Sequence, residues 1–153
     1  MPILDNTQMM RQIIIDHYQN PRNKRTPTDL DNYHKIHMNS TSCADDFWFY
    51  LKANQQNIIT DVAFDGVGCT ISTASSSIMS ELLIGITLQQ ARYIIEQYHH
   101  MIAGEDFNDE VLDDAVVFIN TARQPARIKC ATISYDGIKQ LIEEIERKEK
   151  NHD

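Results

Sequence analysis

The chain has 153 residues, 42% of them hydrophobic and 24% charged, which suits one domain with its own core. A formal net charge of −8 argues against nucleic acid as the main partner, because phosphate binding needs a basic surface. The opening MPILDNTQMMRQIII has no basic stretch followed by an apolar one, and no apolar run approaches bilayer length. Neither a signal peptide nor a membrane span is therefore expected. Three cysteines are an odd number for a secreted disulfide framework. A reducing, cytoplasmic setting follows, in which thiols stay reduced, bind metal or do chemistry.

In chain order, residues 7–18 place Met9, Met10, Ile13, Ile14 and Tyr18 at helical spacing, with Asn6 or Thr7 as cap. Asn20-Pro21 ends that helix, and a polar irregular segment follows. Residues 34–38 form a weak strand pattern, whereas 47–51 (FWFYL) and 57–65 are stronger. In the last of these, Ile58, Thr60, Val62 and Phe64 are expected on one face. The turn-like KANQQN between the two strong strands predicts an antiparallel hairpin.

After Gly68 the periodicity becomes helical, with Ile71, Ser75, Ile78 and Leu82 aligned and Met79 and Leu83 beside them. Gly85 ends this helix, and Thr87 with Gln90 reads as a capping box for the next. That helix turns Leu88, Ala91, Ile94, Ile95, Tyr98 and Ile102 inward and stops near Gly104. An acidic run, 105–114, leads into a third helical stretch over roughly 110–121, broken at Gln124-Pro125. The last helix buries Ile138, Leu141, Ile142 and Ile145 and ends in a charged tail. Strands early and helices late predict an α+β fold, a small antiparallel sheet with helices packed on it.

The cysteines are Cys43, Cys69 and Cys130, too far apart for the paired C-x-x-C spacing of common zinc modules. Buried structural thiols are one reading, since unpaired cysteine is among the most buried residue types. Local context adds a second reading, a metal or sulfur site, and the residues alone leave both open. Cys69 follows Gly66 and Gly68 just before a helix, and Cys130 lies near the start of another, where backbone N–H groups favour a thiolate. Asp45 follows Cys43 by two residues, so an extended backbone would point both side chains to one face. Three thiolates and one carboxylate could complete a tetrahedral zinc site, with Arg127 offsetting the charge.

Other polar residues fit blander roles. His17 suits a hydrogen-bonded structural position, while His34, His37, His99, His100 and His152 suit solvated ones. The serine run 75–77 lacks any nucleophile signature and suits close helix packing. Lys129 reads as a solvated lysine and Asp46 as a surface carboxylate. The run 105–114 lacks the order and glycine of a calcium loop.

Four segments, IIIDHYQNPRNK (13–24), Cys43-Ala44-Asp45, GVGCTISTASSSIM (66–79) and ARIKCATISY (126–135), together resemble the SufU-type members of the IscU-like (NifU N-terminal-like) iron–sulfur cluster assembly family. The 60 residues between Cys69 and Cys130 and the R-I-K-C ahead of the third cysteine point to the zinc-binding, sulfur-transferring branch. The scaffold branch is shorter there and has a histidine at the position of Lys129. Departures are Thr41 and Ala44, where the family has proline and glycine. If that glycine position needs a positive φ, Ala44 costs about 1 kcal/mol. Residues 109–124 also follow the family only loosely.

The resemblance implies one domain over 1–153, its tail from about 147 frayed, with one zinc held by Cys43, Asp45, Cys69 and Cys130. It implies a pyridoxal-phosphate cysteine desulfurase of the SufS type as partner, and iron–sulfur assembly proteins downstream. The resemblance further implies that a histidine of that desulfurase displaces the first cysteine from zinc and that Cys43 then accepts the sulfur, with Arg127 as a supporting charge. The alternatives are a scaffold on which an iron–sulfur cluster is built, and a structural zinc interaction module.

Overall fold

The computed structural model describes residues 3–40 and 44–152, apart from the side chain of His152. Helix α1 (Thr7–Gln19) starts where expected, because the Asn6 side chain accepts a hydrogen bond from the Met9 N–H at 3.0 Å. Its most buried members are Met10 and His17, while Met9, Ile15 and Tyr18 stay substantially exposed. A polar segment then leads into the sheet.

The sheet has three antiparallel strands in the order β1 (His34–Asn39), β2 (Asp46–Ala53) and β3 (Ile59–Val67). The β2–β3 turn is built by Asn54, whose side-chain oxygen accepts from the Gln56 and Ile58 N–H groups. Phe47, Phe49 and Phe64 fill the inner face with ring centroids 5.8–6.3 Å apart. The expected alternation in β3 needs one correction. Pairing shifts at Lys52/Ala53, so Ala53 faces Ile59 and Lys52 faces Asp61, leaving Thr60 as the extra, exposed residue. Ile59, Val62 and Phe64 are buried, and Ile58 is not part of their face.

Helix α2 (Thr70–Leu83) runs through the middle of the molecule, packed on α1, on β3 and on the last helix. Residues Ser72 to Ser80 are all buried, so this helix is enclosed on every side rather than amphipathic. Its serines let neighbours approach closely and also hydrogen-bond to them. Ser77 Oγ accepts from the Arg22 N–H at 2.8 Å and meets His17 Nδ1 at 2.7 Å. His17 is thus a structural histidine tying α1 to α2.

Helix α3 (Leu88–Ile102) carries the expected capping box, with Gln90 N–H to Thr87 Oγ1 at 3.1 Å and Thr87 N–H to Gln90 Oε1 at 3.0 Å. The stretch expected to be a helix over 110–121 is two 3₁₀ segments, Asp109–Val111 and Asp113–Arg123. Asp113 has a φ of +47°, which interrupts a continuous helix. Its β-branched residues Val116, Val117, Ile119 and Thr121 also lower α-helical preference. Helix α4 (Pro125–His152) starts on proline, favourable at a first helical position, and reaches from the sheet to α3. Among the described residues no helix is long and apolar enough to cross a membrane.

Candidate metal centre

Asp45, Cys69 and Cys130 come from three separate parts of the chain, and their ligand atoms lie within 4.8 Å of one another. Among the described residues this is the one such group of His, Cys, Asp and Glu side chains. Each is placed by a different device.

Asp45 sits immediately before β2, is 2% exposed, and is drawn to the start of α2. Its Oδ1 accepts from the Cys69 N–H at 3.2 Å and from Ser72 Oγ at 2.7 Å. Cys69 is the N-cap of α2, its Sγ accepting from the Ser72 N–H at 3.4 Å. An acidic carboxylate and a thiol therefore share the positive end of one helix, where anions are favoured. Cys130 lies in the second turn of α4, 3% exposed. Ser75 Oγ donates to the Cys130 carbonyl at 3.2 Å, and Tyr98 donates to the next carbonyl, Ala131, at 2.7 Å. Those bonds join α2 and α3 to the turn of α4 that bears the thiol.

The glycines ahead of Cys69 are required by close approach. Gly66 has a φ of +138°, and a Cβ there would lie 2.1 Å from the Asp46 carbonyl oxygen. At Gly68 a Cβ would lie 2.4 Å from Ser72 Oγ and 2.6 Å from the Phe47 ring. Bare backbone lets β3 deliver Cys69 beside Asp45.

Of the other expected site residues, Arg127 is exposed on the first turn of α4, three residues before Cys130. Cys43 and Thr41 lie outside the described residues, in the connection between β1 and β2. Among the described residues no histidine joins the group: His37 pairs with Asp46 at 2.5 Å and His99 with Asp136 at 3.0 Å. Ser72 and Ser75 were not singled out by the sequence as parts of the site. A serine three residues after Cys69 is a capping pattern, but its bond to Asp45 spans 27 positions and leaves no local trace.

The donor set suits zinc. Zinc–sulfur bonds of about 2.3 Å and zinc–oxygen bonds of about 2.1 Å put tetrahedral ligands about 3.6–3.8 Å apart. The three donors need to close by at most about 1.2 Å to reach that spacing. Two thiols and a buried, hydrogen-bonded carboxylate are also the ligand types zinc accepts, and they leave one tetrahedral position to fill.

Comparison with known proteins agrees with this arrangement. Residues 9–152 match the NifU-like N-terminal domain family. The zinc-dependent sulfurtransferase SufU of Bacillus subtilis is 33% identical over 135 residues, 88% of this chain and 89% of that protein. The iron–sulfur cluster assembly scaffold protein IscU of Streptococcus pyogenes is 32% identical over 131 residues, 85% of this chain and 80% of that protein. Among solved structures, a candidate iron–sulfur cluster assembly scaffold for the SUF system from Fervidobacterium islandicum superposes with a TM-score of 0.79 at 26% identity. That likeness covers 90% of this chain and 99% of the other. A three-stranded antiparallel sheet with its helices, a largely buried Asp–Cys–Cys group whose Cys69 is half-buried, and a match across nearly the whole chain place this protein in the NifU-like N-terminal domain family.

Proposed function

We propose that the chain is a zinc-dependent sulfur acceptor, taking persulfide sulfur from a pyridoxal-phosphate cysteine desulfurase of the SufS type and stimulating it. The sulfur then passes towards iron–sulfur cluster assembly. The observation that carries this reading is the convergence of Asp45, Cys69 and Cys130 within 4.8 Å. The name of the Bacillus subtilis relative supports it.

Cys69, Cys130 and Asp45 would hold the metal, and Cys43, two residues before Asp45 in the chain, would supply the fourth ligand. Bound zinc would keep the thiols deprotonated near neutral pH and bring no redox chemistry of its own. Asp45 is a harder ligand than thiolate and is held by Ser72 and the Cys69 N–H, so it would stay positioned as a metal ligand if a neighbouring one were exchanged. Cys43 then acts as the nucleophile. Its thiolate attacks the outer sulfur of the donor's persulfide, forming an S–S bond on Cys43 as the donor's S–S bond breaks. The electron pair leaves on the donor's cysteine thiolate, and no external oxidant or reductant is used. Arg127, exposed three residues before the third ligand, would offset part of the negative charge of the set.

The test is a desulfurase assay with wild-type protein and a Cys43→Ala variant, together with metal analysis. The expected outcome is about one zinc per chain and stimulation by the wild type alone. Equal stimulation by a folded Cys43→Ala protein would refute the proposal. A second reading, a scaffold that carries an iron–sulfur cluster, is favoured by the name of the relative from Streptococcus pyogenes. Brown protein with cluster absorption after anaerobic purification would support it, and colourless protein retaining zinc would count against it.

A further inference from the structure

Asp and Glu outnumber Lys and Arg by 22 to 14, yet residues 115–135 contain three of the cations and no carboxylate side chain. The three are Arg123, Arg127 and Lys129, all exposed, at the end of the 3₁₀ segment and on the opening of α4, just ahead of Cys130. Among the described residues, the ion pairs of Lys and Arg belong to Arg22, Arg25, Lys52, Arg92 and Lys148, and to none of these three. Lys129 lines a cleft with Met38, Asn39 and Ser40, which lead towards the β1–β2 connection. The carboxylate in that cleft, Asp136, is already engaged by His99 at 3.0 Å.

The stretch leading into Cys130 thus carries a charge opposite to the net charge of the chain. Three cations within seven residues repel one another, and the positive end of α4 adds to the same field. A facing anionic surface would remove that repulsion. The sulfur-acceptor reading gives Arg127 a role as supporting charge, and it gives Arg123 and Lys129 none. We propose that Arg123 and Lys129 form a docking rim for an acidic face of the sulfur-donating protein, steering its persulfide onto the site. The inference rests on the sulfur-acceptor reading, and it adds the chemistry of the partner's contacting surface. Steering of this kind raises association rates by about 10- to 1,000-fold and fades as ionic strength rises.

The test titrates a cysteine desulfurase from the same source with three proteins: wild type, Arg123→Glu/Lys129→Glu, and Lys148→Glu/Lys150→Glu. The last pair makes the same change in net charge about 30 Å further along α4, about two Debye lengths away at the lower salt. Half-saturating concentration and maximal stimulation are measured at about 50 and about 300 mM salt, with zinc content read in parallel. The rim variant is expected to raise the half-saturating concentration at least about tenfold at low salt, with the gap narrowing at high salt. Maximal stimulation and zinc content should stay as in wild type, and the distal variant should behave like wild type.

Equal half-saturation for the two variants would overturn the inference. So would a rim variant that loses zinc at unchanged half-saturation, since the cations would then serve the chain's own thiolates. Wild-type protein that fails to stimulate the desulfurase at all would instead overturn the sulfur-acceptor reading, and this inference with it.

Discussion

Ser72 offers the sharpest test of how the site is held. Its hydroxyl donates to Asp45 Oδ1 at 2.7 Å, the shorter of the two hydrogen bonds described there, and both side chains are almost fully buried. A hydrogen bond to a charged group contributes about 1.5–3 kcal/mol. At about 1.4 kcal/mol per tenfold, Ser72→Ala should weaken zinc binding roughly 10- to 100-fold, the range typical for groups that orient a metal ligand. Ser76 supplies the control. It is equally buried on the same helix, and its hydroxyl has no hydrogen-bond partner among the described residues. Competition against a chromophoric zinc chelator, with circular dichroism to confirm folding, reads both variants. Zinc affinity of Ser72→Ala within about twofold of wild type would refute the reasoning, as would an equal loss in Ser76→Ala.

Three further outcomes follow from the packing. Gly66→Ala should cost at least about 2 kcal/mol in chemical denaturation, because it adds a strained φ to a contact 2.1 Å from the Asp46 carbonyl; a loss under about 0.5 kcal/mol would contradict this. Tyr98 and Tyr135 stack at 3.7 Å, but only Tyr98 has a described hydrogen-bond partner, the Ala131 carbonyl. Tyr98→Phe should therefore destabilise by about 1 kcal/mol, whereas Tyr135→Phe should be neutral or stabilising, as thermal melts would show. Burial, reinforced by the Arg22 cation, holds the His17 imidazole below its ordinary pKa. Unfolded chains bind that proton near pH 6.5 and folded ones only at lower pH. Stability should therefore fall as pH drops below about 6.5, and less steeply in His17→Gln; identical pH profiles would rule the mechanism out.

Features set by neighbouring residues were legible in the sequence. The Asn6 cap, the Thr87–Gln90 box and the glycine stop at Gly85 are each written within four positions, and each appears where expected. The small sheet with helices packed on it was likewise legible from the change of period after Gly68. Features set by distant residues were not. The bulge at Thr60 depends on how Ala53 pairs across the hairpin, so period-two alternation placed Thr60 on the wrong face. In α1, apolar spacing pointed to Met9 and Tyr18, yet His17 is the more buried because Ser77, 60 positions away, receives it. Spacing alone could not unite Asp45, Cys69 and Cys130. Their resemblance to a family motif named them, and the junction of β2, α2 and α4 brings them together.

The most direct measurement of the central claim is cysteine desulfurase turnover with this protein, repeated after zinc is removed and again after it is restored. Sulfur acceptance that depends on the Asp45–Cys69–Cys130 group predicts stimulation with zinc, its loss in the zinc-free protein, and its return on adding about one equivalent. Stimulation that persists unchanged in folded, zinc-free protein would contradict the account.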